Sequence, residues 1–365
     1  MEKTKIGTVS AIMLTLSIVV SYITSSLPRT FINETKSGTF LNIIYITAIV
    51  LFITMLFCKL FKQFPGFDIL DISNFLGGTV LKNIVGSLFI FYFITSSSIM
   101  LRNFAEGLIV VYYPLTSYVY IVLTFIIAVS ITNNLGFNAT INTATIVFPV
   151  VLISVILLFI GNFQNFAFRR IFPILGNGFY DTFILGLRNI GAFGGICYMY
   201  FLPPMLKEPE KFKKIMIISV IITGSFILLC VACLLFMFSF YVNADEIMPL
   251  FTAARQIEFG SFFQRFESLF LLIWIISFCC YLSITCKFAT HIFKKMTNLS
   301  DMRPISIVFS LLMFCVALIP KNYAASNFFE THIYRYLRIA IGFILGIVIL
   351  IFANIKQKSK SKINH

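Results

Sequence analysis

The stretch Gly186-Leu-Arg-Asn-Ile-Gly-Ala-Phe-Gly-Gly195, with Pro203 and Pro204 beyond it, lies inside an apolar run from Gly178 to Leu206. A helix in lipid satisfies its backbone internally and is ordinarily uniform and apolar, so glycines, an asparagine and an arginine this close together break the pattern. Toward the N-terminus a second run breaks it in the same way. Ile6 to Leu27 carries Ser21, Thr24, Ser25 and Ser26 in its second half, with Pro28 following. Eight further apolar runs surround these two, at about Phe40 to Leu60, Leu81 to Arg102, Leu115 to Ile131, Ile141 to Ile160, Ile215 to Val242, Phe262 to Phe288, Ile305 to Ile319 and Tyr336 to Phe352. The disturbed runs are therefore the first and sixth of ten. Interrupted helices at matching positions of two halves point to an inverted-repeat transporter with its site near the bilayer midplane. The expected fold is a single all-α polytopic membrane domain over residues 1–365, a five-plus-five inverted repeat of LeuT type. Its first repeat covers about 6–160, its second about 178–352, and helices one and six are interrupted. Glycine and serine packing between ordinary helices is the competing reading.

Composition agrees with a membrane bundle. Of 365 residues 59% are apolar and 12% charged, against ~25% charged in soluble domains. At ~20 residues per crossing, ten spans use nearly the whole apolar supply. Too little remains for a catalytic head, a nucleic-acid module or a long tail. The net charge of +14 is read as topology: one set of loops holds 15 Lys and Arg residues and the opposite set 7, which puts both termini on the cytoplasmic side. The basic run Lys356 to Lys362 is either solvated or in contact with anionic lipid. Lys3 and Lys5 before an apolar run imitate a secretion signal, but no small-residue cleavage site follows and the run is kept as a span. The eight cysteines lie in or beside apolar runs, with no histidines spaced to complete a zinc site, and read as small buried hydrophobes. His291, His332 and His365 sit near span ends, and neither HExxH nor a phosphate-binding glycine loop occurs. Enzymatic chemistry, a metal and a cofactor are accordingly not expected.

Two loops carry a pattern. Phe67, Leu70, Phe75 and Leu76 interleave with Asp68, Asp71 and Asn74 as in a short amphipathic helix at the interface. Asp245, Glu246 and Pro249 open a segment through Phe259 that reads as a helix with acids in its first turn, serving as a lid or a plain connector.

That segment continues into the most specific part of the chain. Met248-Pro-Leu-Phe-Thr-Ala-Ala-Arg-Gln-Ile-Glu-Phe-Gly260, then Phe263-Gln-Arg-Phe-Glu-Ser-Leu-Phe-Leu-Leu-Ile-Trp274, resembles the spore germination permease family. These are the B subunits of nutrient germinant receptors, within the amino acid/polyamine/organocation transporter superfamily. Phe172-Pro-Ile-Leu-Gly176, the Phe67 to Gly78 loop and the chain length extend the likeness over nearly the whole chain. The resemblance implies the ten-helix inverted repeat, residence in the inner membrane of a bacterial spore, and partnership with an A subunit and a lipoprotein C subunit. One departure is that the glycine expected in the middle of span one is absent, Ser21 being nearest.

Candidate ligand residues follow from placement. Arg188 stands about ten residues into span six, or roughly 15 Å deep, where a charge is by default functional. It would meet a ligand carboxylate or a protein acid, Glu267 and Glu106 being the acids considered. Glu267 heads a stripe with Leu271, Trp274, Phe278 and Tyr281 on span eight. In span three Tyr92, Thr95, Arg102 and Glu106 share a face, and the last two are spaced to pair with each other. Helix breaks expose unpaired N–H groups and carbonyls that suit a carboxylate and an ammonium. Ser21, Thr24 and Ser25 with Gly191, Gly194 and Gly195 are thus expected to hold a zwitterionic amino acid, with Tyr92, Thr95 and Trp274 selecting its side chain. Spans one, four and five contain no interior charge, which favours sensing over ion-coupled accumulation. Two functions stand: a receptor subunit that signals to its partners, or an amino acid permease working by alternating access.

Overall fold

A computed structural model describes residues 5–25, 27–238, 246–257, 266–299 and 303–363. Among them the chain is helical apart from one backbone bridge, in which Ile6 N–H donates to the Met205 carbonyl (2.7 Å) and Lys207 N–H to that of Ile6 (2.9 Å). Six helices are long and apolar enough to cross a bilayer: Leu27–Phe61, Ile69–Val111, Phe137–Gly161, Pro209–Met237, Phe266–Thr297 and Tyr323–Ser359. Thr8–Ser21, Tyr118–Asn134 and Arg303–Ala317 are shorter apolar helices. The Thr8–Ser25 helix is central, packing against Phe137–Gly161, Leu185–Phe201, Phe212–Met237 and Phe266–Thr297. Leu14, Leu16, Ile18, Val19 and Val20 are all buried, as expected of a helix that is apolar all round.

The disturbed spans differ from expectation. In span one the helix runs through Ser21, whose hydroxyl donates to the Ser17 carbonyl (3.0 Å). A new helix, Leu27–Thr35, begins two residues after Ser25. Ser26 between them lies outside the described residues. Span six is not interrupted: a π turn at Tyr180–Ile184 leads into the tightly wound 3-10 helix Leu185–Phe201. Such turns are usually short and mark strained or functional places. Its glycines admit close approach instead of freeing backbone. A Cβ on Gly195 would stand 2.6 Å from Val19 Cγ2, and one on Gly186 2.1 Å from Asn42 Nδ2.

The last span is longer than hydropathy indicated. Helical turns run from Tyr323 to Ile363, widened to π turns at Phe329–Tyr334 and Ala340–Leu345. Arg335, assigned above to a loop, is inside this helix together with Glu330 and Arg338. Charges lower the hydropathy of that stretch, while tertiary partners neutralise them.

Both patterned loops are helical. Asp68 caps Ile69–Val111 by accepting from the Leu70 and Asp71 N–H groups (2.9 and 3.0 Å), and Asp71 answers the Asp68 N–H (3.1 Å). Non-helical backbone at Gly77 and Gly78, the latter with φ of 70°, bends the chain from this short amphipathic turn into span three. Only glycine adopts that conformation readily. Lys295 reaches Asp68 Oδ2 (2.6 Å) and Asp71 Oδ2 (2.5 Å), and Lys356 donates to the Phe75 and Leu76 carbonyls (3.0 and 2.8 Å). The second loop forms Pro249–Arg255, seven residues with proline at the first turn and no acid in it. Glu246 precedes the helix and accepts from the Thr252 hydroxyl (3.1 Å); Asp245, Glu258 and Phe259 lie outside the described residues.

Candidate functional site

Three helices meet around a cleft of about 390 Å³: Leu27–Thr35, Leu185–Phe201 and the π-distorted start of the last span. Thr30, Phe31, Arg188, Asn189, Glu330, Arg335 and Arg338 line it. Arg338 Nη2 donates to Glu330 Oε1, and Arg335 Nη1 donates to Glu34 Oε1 on Leu27–Thr35. Each pair uses one carboxylate oxygen. The other, Glu330 Oε2 and Glu34 Oε2, is buried without a hydrogen-bond partner among the described residues. Arg188 is exposed on the cleft wall and makes no hydrogen bond or ion pair among the described residues.

The glycines of span six explain how long cations fit here. A Cβ on Gly191 would lie 3.3 Å from Arg335 Cγ, and one on Gly194 2.8 Å from Arg338 Cδ. Their missing side chains give room to the arginine stems. Asn189, next to Arg188, donates to Asn42 Oδ1 (2.9 Å), and Asn42 Nδ2 donates to the Thr182 carbonyl (2.8 Å). That pair pins the turn carrying Arg188 to the Thr39–Phe61 helix. Buried charges are normally paired, so the arrangement has a definite remainder: one guanidinium and two carboxylate oxygens.

The other expected residues are distributed more widely. Ser21 is buried and bonded to its own helix; the side chains of Thr24 and Ser25 lie outside the described residues. Gly195 packs on Val19, away from the cleft lining. Thr95 donates to the Phe91 carbonyl (2.6 Å), and Tyr92 is buried with its side chain hydrogen-bonded to Cys197. Arg102 and Glu106 pair at 2.8 Å, with the Arg102 guanidinium 3.4 Å from the Tyr118 ring centroid and an N–H donated to the Lys321 carbonyl (3.4 Å). Neither Glu106 nor Glu267 pairs with Arg188; Glu267 sits in the first turn of Phe266–Thr297, near Tyr112. Trp274 is buried beside Phe270, ring centroids 5.2 Å apart. Sequence reasoning missed Glu34, Glu330, Arg335 and Arg338. The available signal was Glu330, Arg335 and Arg338 just ahead of the assigned span ten, at spacings that a π-widened helix turns toward one side.

A match to the family described as spore germination protein covers residues 5–326. Spore germination protein YndE of Bacillus subtilis (strain 168) is 24% identical over 331 residues, 87% of this chain and 88% of that protein. Spore germination protein B2 of the same organism is 22% identical over 257 residues, 68% of each. In structure the chain is similar to a Na⁺-coupled sialic acid symporter in a substrate-bound outward-open state. The TM-score is 0.64 over 94% of this chain and 79% of that one, and at 13% identity the likeness is one of fold.

Proposed function

This chain belongs to the spore germination protein family of membrane permeases, and on that premise we propose that it is a nutrient-sensing subunit which binds an amino acid in the arginine-lined cleft. In this reading it is a ten-span inverted repeat of the inner spore membrane, both termini cytoplasmic, and it passes a change of shape to A and C subunits that trigger germination. The observation carrying the proposal is the unpaired Arg188 on a cleft whose Glu330 and Glu34 each retain a free, buried oxygen. A carboxylate placed on Arg188 forms a charge-assisted hydrogen bond. An ammonium placed on Glu330 Oε2 completes a carboxylate that its arginine only half satisfies. A zwitterion meets both demands and leaves the net charge unchanged.

The permease reading has its own support, since the fold resembles that of a solute symporter. The two are separated by uptake: a sensing subunit in proteoliposomes binds amino acids without accumulating them, while a permease accumulates them. Binding is tested by thermal shift of the purified protein against single amino acids, their amides and their decarboxylated amines. Only the intact zwitterion is expected to stabilise wild type, and Arg188→Gln is expected to abolish the selectivity for the free carboxylate. Equal stabilisation by the amide would remove Arg188 from the site. Reporter fusions after Lys36 and Lys358 test topology, and reporting from the same side would sink the ten-span arrangement.

A further inference from the structure

A second cavity, of about 300 Å³, lies on different elements: the far part of Ile69–Val111, the Pro249–Arg255 helix and the first turns of Phe266–Thr297. Its walls include Phe104, Met248, Leu250, Phe251, Phe270 and Trp274, none more than 9% exposed. The walls are braced from behind. Phe104 stacks on Phe278 at 4.4 Å, Phe251 meets Tyr112 edge-on at 5.2 Å, and Met248 fills the space left by Gly107. One polar group belongs to this lining, the indole N–H of Trp274, and it is buried without an acceptor among the described residues.

A buried indole N–H usually finds a partner, and an unmade bond costs the desolvation of the donor. Water is a poor candidate, because a buried water needs two to four polar neighbours and this lining offers one. An ion is poorer still, since no charged side chain lines the cavity. We propose that the cavity binds a small uncharged apolar molecule with a single hydrogen-bond-accepting oxygen, that oxygen on Trp274 Nε1 and its hydrocarbon part against Phe104, Phe251 and Phe270. The same chemistry is available from two sources, the ester carbonyl of a membrane lipid and a free ketone or ester. The site is independent of the amino acid cleft.

Trp274 is the sole tryptophan of the chain, so its emission reports on this cavity alone. The full chain is placed in nanodiscs of ether-linked phospholipid, which lack the carbonyl, and titrated with methyl butyl ketone and, separately, with hexane. The expected result is a saturable red shift with the ketone and none with hexane. It should be lost in Leu271→Phe and in Met248→Phe, which narrow the cavity, and kept in Arg188→Gln. Elution volume and helical circular dichroism establish that each variant is folded. If ester-linked nanodiscs give the red-shifted emission before any ketone is added, the occupant is lipid; if the ketone response is the same in both discs, it is a free solute. Equal shifts with ketone and hexane, no shift up to the solubility limit in either disc, or a wild-type response in both narrowed variants would overturn the proposal.

Discussion

Two groups of charges are embedded in this apolar chain, and they are used in opposite ways. Around Asp68 the account is closed: both carboxylate oxygens are engaged, by two backbone N–H groups and by Lys295, while Lys356 satisfies the Phe75 and Leu76 carbonyls. Around Arg338 it is open, with Arg188, Glu330 Oε2 and Glu34 Oε2 left over. Both groups join elements remote in sequence. The first acts as a clamp because nothing remains for a ligand to satisfy, and the second offers a site because something does. Residual capacity for hydrogen bonds, more than the presence of charge, separates a structural ion cluster from a recognising one.

The comparison breaks most visibly at the clamp. Lys295→Met leaves the fully buried Asp68 without its cation and is expected to lower unfolding stability by ~3 kcal/mol or more, read from denaturant or thermal unfolding in detergent. A loss below ~1 kcal/mol, the size of an exposed pair, would show that the cluster clamps nothing. Next in size is Arg338→Met, expected to cost about 3 kcal/mol by stranding Glu330. Adding Glu330→Gln should return much of that loss, and strict additivity in the double variant would deny the coupling.

Arg188→Gln sharpens the contrast from the other side. Its stability should stay within ~0.5 kcal/mol of wild type, while amino acid affinity falls by ~1.5–3 kcal/mol, the worth of a charge-assisted hydrogen bond. A stability loss matching that of Arg338→Met would make Arg188 structural. Gly194→Ala presses a methyl onto the Arg338 stem and is expected to cost about 1 kcal/mol, with weaker ligand response; an unmoved response curve would detach the glycine from the cleft.

The smallest effect concerns pH. Burial, only partly offset by Lys295 and reinforced by Asp71, pushes the Asp68 carboxyl up to about 6 from 3.8. The folded protein therefore holds this proton more tightly than the unfolded chain does. The stability this proton adds is full below about pH 4 and is lost as pH rises through about 6. Acidifying from about pH 7 to 5 should raise the unfolding temperature of wild type relative to Asp68→Asn, which keeps the cap but cannot titrate. Parallel pH profiles for the two proteins would contradict this.

Part of the site was legible in the sequence. Arg188 stands out because a charge far inside an apolar run is rare, and Gly191 and Gly194 because glycine has no helical reason to cluster. Both signals led to the cleft, though the glycines accommodate arginine stems where an opened backbone was expected. Glu330, Arg335 and Arg338 were hidden by the same averaging that finds spans: hydropathy treats a paired charge as though it were bare. Glu34 carries no local mark at all, since its partner Arg335 is 301 residues away.

By itself the sequence determined that this is a helical membrane protein of the permease kind and where most of its helices run. Apolar length is a local sum, and in lipid a backbone without water must close its hydrogen bonds within the segment. Only the tertiary structure decided where the last helix begins, that span six stays wound, and which charges cancel and which remain. Those outcomes depend on pairs of groups brought together from opposite ends of the chain, and the free energy of a buried charge is set by its partner, whose position in space no local window contains.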